Sequence, residues 1–386
     1  MRRRRQIQQQ RKGNMNGEQF VAEHIKPIGV SGIRRIFDMA ATMASPIDFS
    51  IGQPDFAVPQ PARRAAIDAI EEGKNGYTPS QGLPPLRERI ATELQREFDW
   101  SPEVLVSCGV SGSLVLGLLA CLNPGDEVIL ADPYFVSYPH LVKLAGGVPV
   151  SVDLYDDFRL HPDRFAAAVT PKTKAIIFNS PGNPTGIVYR DDDVRVVTEL
   201  AQEHDLLIIS DEIYDKLCYD GPSPSPVRYA PQRTLLLRGF SKSYAMTGWR
   251  LGFAAGPAAV IREMTKLQQY TFVCAPQPFQ WACLTAMETD ISDHVAQYRA
   301  KRDLVCDALE GTYEFVRPAG GFYVFPKAPP RFENATQFVE EAIRKQVLII
   351  PGSVFSAKDT HFRISYAAPD ETLKQGCEIL RSIAGP

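Results

Sequence analysis

Short apolar runs recur along the middle of the chain, and each gives way to turn-forming or polar residues. They fall at Val104–Cys108, Glu127–Ala131, Val148–Val152, Ala175–Phe178, Leu206–Ser210, Thr234–Leu237 and Leu251–Ala254. Helix-forming stretches such as Ser113–Leu122 and Asp192–His204 separate several of them. Strands alternating with helices predict an α/β fold with a mostly parallel, seven-stranded sheet. Leu206, Leu207, Ile208 and Ile209 are apolar at successive positions, the pattern of a strand covered on both faces. Beyond about Trp281 the rhythm changes. A helical stretch through Tyr298–Leu309, the segment Gly320–Pro326, a helix near Ala335–Lys345 and a last strand at His361–Tyr366 predict a smaller α+β domain. Ile28–Ala44 reads as helical in part. The expected division is a basic tail at 1–14, a small domain from 15–50 and 285–386, and a large domain at 51–284.

Composition narrows the class only modestly. No apolar run approaches the roughly 18 residues that span a bilayer, and no apolar stretch follows the basic start as in a secretory signal. Neither a membrane partner nor secretion is expected. The seven cysteines are scattered and include no CxxC pair. That pattern predicts reduced thiols in a cytoplasm-like compartment. The six histidines have no metal-ligand spacing, so no metal site is expected. Net charge is −3, yet the first twelve residues include Arg2, Arg3, Arg4, Arg5, Arg11 and Lys12. This tail is almost devoid of apolar residues and reads as disordered. Its charge alone does not predict a nucleic-acid partner.

Ligands of open α/β sheets gather outside the carboxyl ends of the strands. The residues that follow the apolar runs are therefore the candidates. Gly109-Val110-Ser111 follows the first run, and its amides open a helix suited to an anion. Pro133-Tyr134-Phe135 follows the second, and Asn179 through Gly186, with Asn183 among them, the fourth. Asp211 and Tyr214 follow the fifth, Ser241 and Lys242 the sixth, with Arg250 close behind. Each alone is a weak signal. Together they supply what pyridoxal 5′-phosphate requires: a lysine for the imine, an acid for the ring nitrogen, donors to the ring oxygen and an anion cradle.

At these residues the chain resembles a family. GFSKSYAMTGWRLG (Gly239–Gly252) is similar to the cofactor-lysine signature of class I/II aminotransferases. SPGNPTG, SDEIYD, the late FRISYA, IGQPDF and GYTPSQGLPPLR resemble the family's other blocks, in the usual order. The resemblance implies the fold type I architecture, bound pyridoxal phosphate and a homodimer with sites at its interface. It implies that Lys242 is the Schiff-base lysine and Asp211 the partner of the ring nitrogen. Tyr214 and Asn183 resemble the donors to the ring oxygen, and Phe135 the stacking aromatic. Gly109, Val110, Ser111, Ser241 and Arg250 resemble the phosphate cradle, and Tyr77 the tyrosine that reaches the partner subunit's phosphate. Arg363 resembles the clamp on the substrate α-carboxylate, assisted by Asn183 and the backbone at Gly52.

Two departures bear on specificity. Gly239 stands where some relatives have a phosphate-binding serine. Tyr270, in QQYTFVCAP, stands where dicarboxylate-specialised relatives carry a second arginine, so a broad range of aspartate, aromatic or neutral donors is expected, with 2-oxoglutarate as acceptor. Arg34 or Arg35 could still supply a distal contact, and a solvated helix face is an equal reading of both. The expected activity is ping-pong transamination. A C–S lyase or an aminocyclopropane-carboxylate synthase on the same scaffold stays open, since such enzymes share the cofactor residues. A pyridoxal-phosphate-sensing regulator is disfavoured, because only about 27 residues precede the resemblance.

Overall fold

The computed structural model describes residues 17–26, 28–34, 36, 41 and 43–385. The basic tail and Arg35 lie outside the described residues. A short 3-10 turn, Gly17–Phe20, belongs to an N-terminal unit ending at Val30. Residues 31–386 make up the second unit. Within it, residues 32–34 are helical, and strand β1 is Ile47–Asp48.

Seven strands form one sheet: β2 (Glu103–Ser107), β3 (Glu127–Asp132), β4 (Val148–Asp153), β5 (Thr173–Asn179), β6 (Leu207–Asp211), β7 (Thr234–Gly239) and β8 (Gly252–Gly256). Their order is β2-β8-β7-β6-β5-β3-β4. Every run named from the sequence lies in this sheet, with ends shifted by a residue or two. β8 alone runs antiparallel to its neighbours, β7 and β2. Two reversals leave β2 pointing the same way as β7, so its carboxyl end joins the others at one edge.

The helices that precede or follow these strands are α1 (Gln60–Glu71), α2 (Pro84–Phe98), α3 (Gly109–Cys121), α4 (Ser137–Leu144), α5 (Pro162–Ala167), α6 (Asp191–Glu203), α7 (Ala258–Thr271) and α8 (Gln277–Met287). α6 illustrates why its sequence is helical. Asp191, Asp192 and Asp193 favour the positive helix start. The Asp193 carboxylate accepts from the backbone N–H of Arg190 at 2.7 Å, closing a capping box. Val194, Val197, Leu200 and Ala201 then form one buried stripe. That stripe packs in the same cluster as Ile176 and Ile208, whereas Ile177 and Ile209 pack with Leu114 and Leu118 of α3. Neighbouring residues of β5 and β6 thus bury opposite faces, which is why those strands read as continuous apolar runs.

The carboxyl-terminal third contains α9 (Ser292–Leu309), β9 (Tyr323–Val324), α10 (Ala335–Arg344), β10 (Val347–Leu348), β11 (Ile350–Pro351), β12 (Phe362–Ser365) and α11 (Asp370–Ala384). β12 is the centre of a three-stranded antiparallel sheet with β9 and β11, and β1 pairs with β10. Phe338 and Phe362, both fully buried, pack with tilted rings whose centres are 4.6 Å apart, in a cluster that also takes Phe49 from the amino-terminal side.

One close approach ties β8 to the strand-end edge. A methyl group on Gly252 would lie 2.7 Å from the Val110 backbone nitrogen and 2.8 Å from the Gly109 carbonyl carbon. Backbone cannot yield as a side-chain tip does, so Gly252→Ala must displace the first turn of α3. Overpacking of this kind costs about 1–3 kcal/mol. The variant should melt several degrees lower in a thermal scan, and a wild-type melting temperature would contradict this packing.

Candidate active site

The register of the parallel strands sets the polar ends side by side. Asn179 of β5 pairs with Asp211 of β6, and Asp211 with Leu237 of β7. β7 then delivers Ser241 and Lys242 just beyond its end. The structure brings Asp211, Tyr214, Asn183, Ser241, Lys242 and Arg363 into the lining of one cavity of about 420 Å³. Gly52, Val110, Ser111, Phe135 and Arg250 line it as well. Gly109 lies beside it, at the start of α3 and against the Arg250 guanidinium. Arg34 is exposed and lines the same cavity. Tyr77 and Tyr270 are not in it: they stand 83% and 85% exposed.

Asp211 is the buried acid of the site. Its carboxylate accepts from the Tyr138 hydroxyl at 2.8 Å and from the Ile213 backbone N–H at 3.2 Å. The Asn179 side-chain amide donates to the Asp211 carbonyl at 2.9 Å and holds the strand end in place. Burial pushes the Asp211 carboxyl up to about 6, although both hydrogen bonds oppose the rise. Lys242 donates to the Gly52 carbonyl oxygen. Burial pulls its ammonium down to about 8, assisted by the positive charges of Arg363 and Arg250. A buried amine that loses its proton so early is a candidate nucleophile and base.

Arg363, 1% exposed, is the unusual cation. It donates to the Asn183 side-chain oxygen at 2.9 Å and to the Ser50 carbonyl at 2.7 Å. Tyr323 and Phe355 sandwich it, their ring centres 4.4 and 4.9 Å from the guanidinium carbon. Its Nε is buried with no hydrogen-bond partner, and it makes no ion pair among the described residues. Arg238 gives the contrast. That guanidinium, also buried, holds Glu97 at 2.7 and 2.9 Å and Glu212 at 2.9 Å. Buried charges are normally paired. Arg238 meets that rule with protein carboxylates, and Arg363 has no such partner among the described residues.

The anion cradle is also present. The first turn of α3 supplies the free amides of Gly109, Val110 and Ser111, and Arg250 adds charge beside them. Ser111 is exposed and Ser241 buried, so both hydroxyls remain available at the cavity where Gly239 offers none. Sequence reasoning passed over Tyr138 and Tyr323 of the cavity, which carry no motif of their own and whose hydrogen bonds reach partners distant in the chain. Asn179 stood among the strand-end candidates only as the first residue after an apolar run.

The family model for "Aminotransferase class I and II" matches residues 44–380. A probable aspartate aminotransferase of Methanocaldococcus jannaschii is 35% identical over 377 residues, covering 94% of this chain and all of the relative. An aspartate aminotransferase of Pyrococcus abyssi is 37% identical over 380 residues, covering 94% and 98%. The solved aspartate aminotransferase of Thermus thermophilus with maleate superposes with a TM-score of 0.90 at 36% identity, over 94% of this chain and 99% of that one.

The two shifted groups give the ligand-free protein a distinctive pH dependence. Asp211 titrates near 6 when folded against an ordinary 3.8, so the folded state holds the extra proton between those values. Its contribution to stability is therefore lost as pH rises from about 4 to 6. Lys242 titrates near 8 against 10.5, so the unfolded state holds the extra proton there, and stability recovers as pH rises from about 8 to 10.5. Thermal melts across pH should lose the first limb in Asp211→Asn and the second in Lys242→Met. Limbs that persist in those variants would contradict the assignment.

Proposed function

Because this chain belongs to the class I and II aminotransferases, a pyridoxal-phosphate-dependent family, we propose that it transfers the amino group of an L-amino acid to a 2-oxo acid such as 2-oxoglutarate, in two half-reactions, with pyridoxal 5′-phosphate held on Lys242. One observation carries the reading: Lys242, Asp211 and Arg363, the last without an acidic partner, line one cavity. The residues fit the cofactor. The amides of Gly109, Val110 and Ser111, with Arg250 and Ser241, suit its phosphate; Phe135 suits the ring face; Asp211 suits the ring nitrogen. Tyr214 and Asn183 suit the ring oxygen. When bound, the cofactor supplies an electron sink for the substrate's α-carbon.

The chain's own residues do the rest. Asp211 is held up near 6 mainly by burial, with the Glu212 charge adding to it, and a cation at the ring nitrogen would offset that and keep the acid ionised. Arg363 grips the α-carboxylate through two N–H groups, which fixes the orientation of the Cα–H bond. Asn183, already bonded to Arg363, keeps its amide N–H₂ free to donate. The Lys242 amine, titrating near 8, is the chain's group suited to take the proton from the substrate's Cα and to give it back. Its ready loss of charge suits it to both directions of transfer.

The relatives named as aspartate aminotransferases favour an acidic donor, and the apolar QQYTFVCAP segment favours aromatic or neutral donors as well. We read the enzyme as a homodimer in which Tyr77 and Tyr270 serve the partner's cavity. Their exposure of 83% and 85%, unusual for tyrosine, supports this. We keep the division into a large domain at 51–284 and a small domain from 15–50 and 285–386, supported by the pairing of β1 with β10. The seven free cysteines suit a cytoplasmic setting. Among the described residues, no helix is long and apolar enough to cross a membrane.

A donor amino acid added alone should convert the yellow holoenzyme stoichiometrically to its amine form, with one 2-oxo acid released per site. Continuous release of ammonia and pyruvate would instead favour the lyase. Lys242→Ala should lose both the visible absorption of the lysine-bound cofactor and turnover. Arg363→Lys keeps the charge and loses the two-pronged grip, so kcat/KM should fall by about a hundredfold. A fall of less than threefold would remove Arg363 from substrate recognition.

A further inference from the structure

Tyr323 is a large cavity residue that the preceding account leaves without a task. It is 1% exposed and sits on β9, paired with Ser365 of β12. Arg363 lies two residues from Ser365, so Tyr323 and Arg363 share one face of the sheet as diagonal neighbours. That placement brings the guanidinium to 4.4 Å from the Tyr323 ring centre. The other end of the same side chain meets Tyr214, whose hydroxyl donates to the Tyr323 hydroxyl at 3.1 Å. The two rings stand edge-on, 84° apart with centres 5.9 Å apart. Gly52 makes room for the contact, because a methyl group there would lie 2.3 Å from the Tyr323 oxygen.

A phenol has one proton and two lone pairs. In this structure Tyr214 gives its single proton to Tyr323, so it has none to offer an acceptor in the cavity. The Tyr323 proton has no acceptor among the hydrogen bonds of the described residues. The pair can therefore reverse. Once an acceptor sits in front of Tyr214, Tyr214 donates to it and Tyr323 donates to Tyr214. Each phenol keeps a hydrogen-bond partner in either arrangement, and the second gives both protons an acceptor, which matters because both are buried.

We propose that Tyr323 is a positioning residue that couples carboxylate binding at Arg363 to the strength of the hydrogen bond that Tyr214 offers the cofactor. The inference rests on the cofactor reading above and adds a link between the substrate clamp and the ring oxygen. Its direction follows from charge. An uncompensated Arg363 makes the Tyr323 hydroxyl a better donor, which makes Tyr214 a better donor in turn. Consistently, the Arg363 charge pulls both phenols down against the rise that burial causes. A substrate carboxylate neutralises Arg363 and weakens both bonds. Electron density returns to the ring oxygen, and the neighbouring lysine-linked nitrogen holds its proton to higher pH.

The test is a pH titration of the visible absorption band of holoenzyme, with and without a saturating carboxylate that has no amino group, succinate or 3-phenylpropionate. In the wild type the carboxylate should raise the titration midpoint. In Tyr323→Phe, which keeps the ring and removes only the hydroxyl, the midpoint without carboxylate should already be higher by about half a pH unit. The rise on adding carboxylate should fall to less than half of the wild-type rise. Phe355→Leu serves as the packing control. It loosens the other face of Arg363, so it should weaken carboxylate affinity yet keep the full rise at saturation. An unchanged rise in Tyr323→Phe, an equal loss in Phe355→Leu, or a wild-type midpoint indifferent to both carboxylates would overturn the link. Failure of the wild type to form a pH-sensitive visible band would overturn the cofactor reading instead.

Discussion

The site depends on one register: Asn179 beside Asp211, and Asp211 beside Leu237. Parallel strands slipped by a residue would turn Asp211 toward the opposite face of the sheet. The register is held by two apolar clusters, one on each face, in which Ile208 and Ile209 point opposite ways. A carboxylate can therefore stand buried at the strand end without a cation, supported by Tyr138 and by the Ile213 amide. That arrangement is unfavourable in the empty protein, and a ligand carrying positive charge relieves it.

Charge is unfinished at both ends of the cavity. Among the described residues neither Asp211 nor Arg363 forms an ion pair, although the Lys242 charge acts on Asp211. Each would destabilise a protein that had no ligand to receive, as the fully paired Arg238 makes plain. Between them stands Lys242, whose amine is brought near 8 mainly by burial. On the proposed reading, a ring cation at one end and a carboxylate at the other would complete the pairings, and the groups that bind would also be the groups that react. Binding and catalysis share the same electrostatic deficit.

Much of this was legible before the fold was known. The seven strands could be read because strands buried on both faces must be apolar throughout. Asp211 and Lys242, each a weak signal alone, could be read because several polar residues follow such runs together. Arg363 was legible only through the resemblance of FRISYA, since an arginine within a short late strand has many ordinary explanations. Tyr138 and Tyr323 were not legible at all. Each resembles a core aromatic, and their hydrogen bonds cross 73 and 109 residues of sequence. Tyr77 and Tyr270 were named from the resemblance, and they do not line the cavity of their own chain.

On the proposed reading, the negative charge of the Asp211 carboxylate holds the ring nitrogen of the bound cofactor in its protonated form. Nitrogen-15 NMR of holoenzyme reconstituted with ring-labelled pyridoxal phosphate reads that proton directly. At pH 8, well above the titration of free pyridines, the wild type should give the signal of a protonated ring nitrogen, and Asp211→Asn that of a neutral one. A neutral ring nitrogen in the wild type would contradict the account.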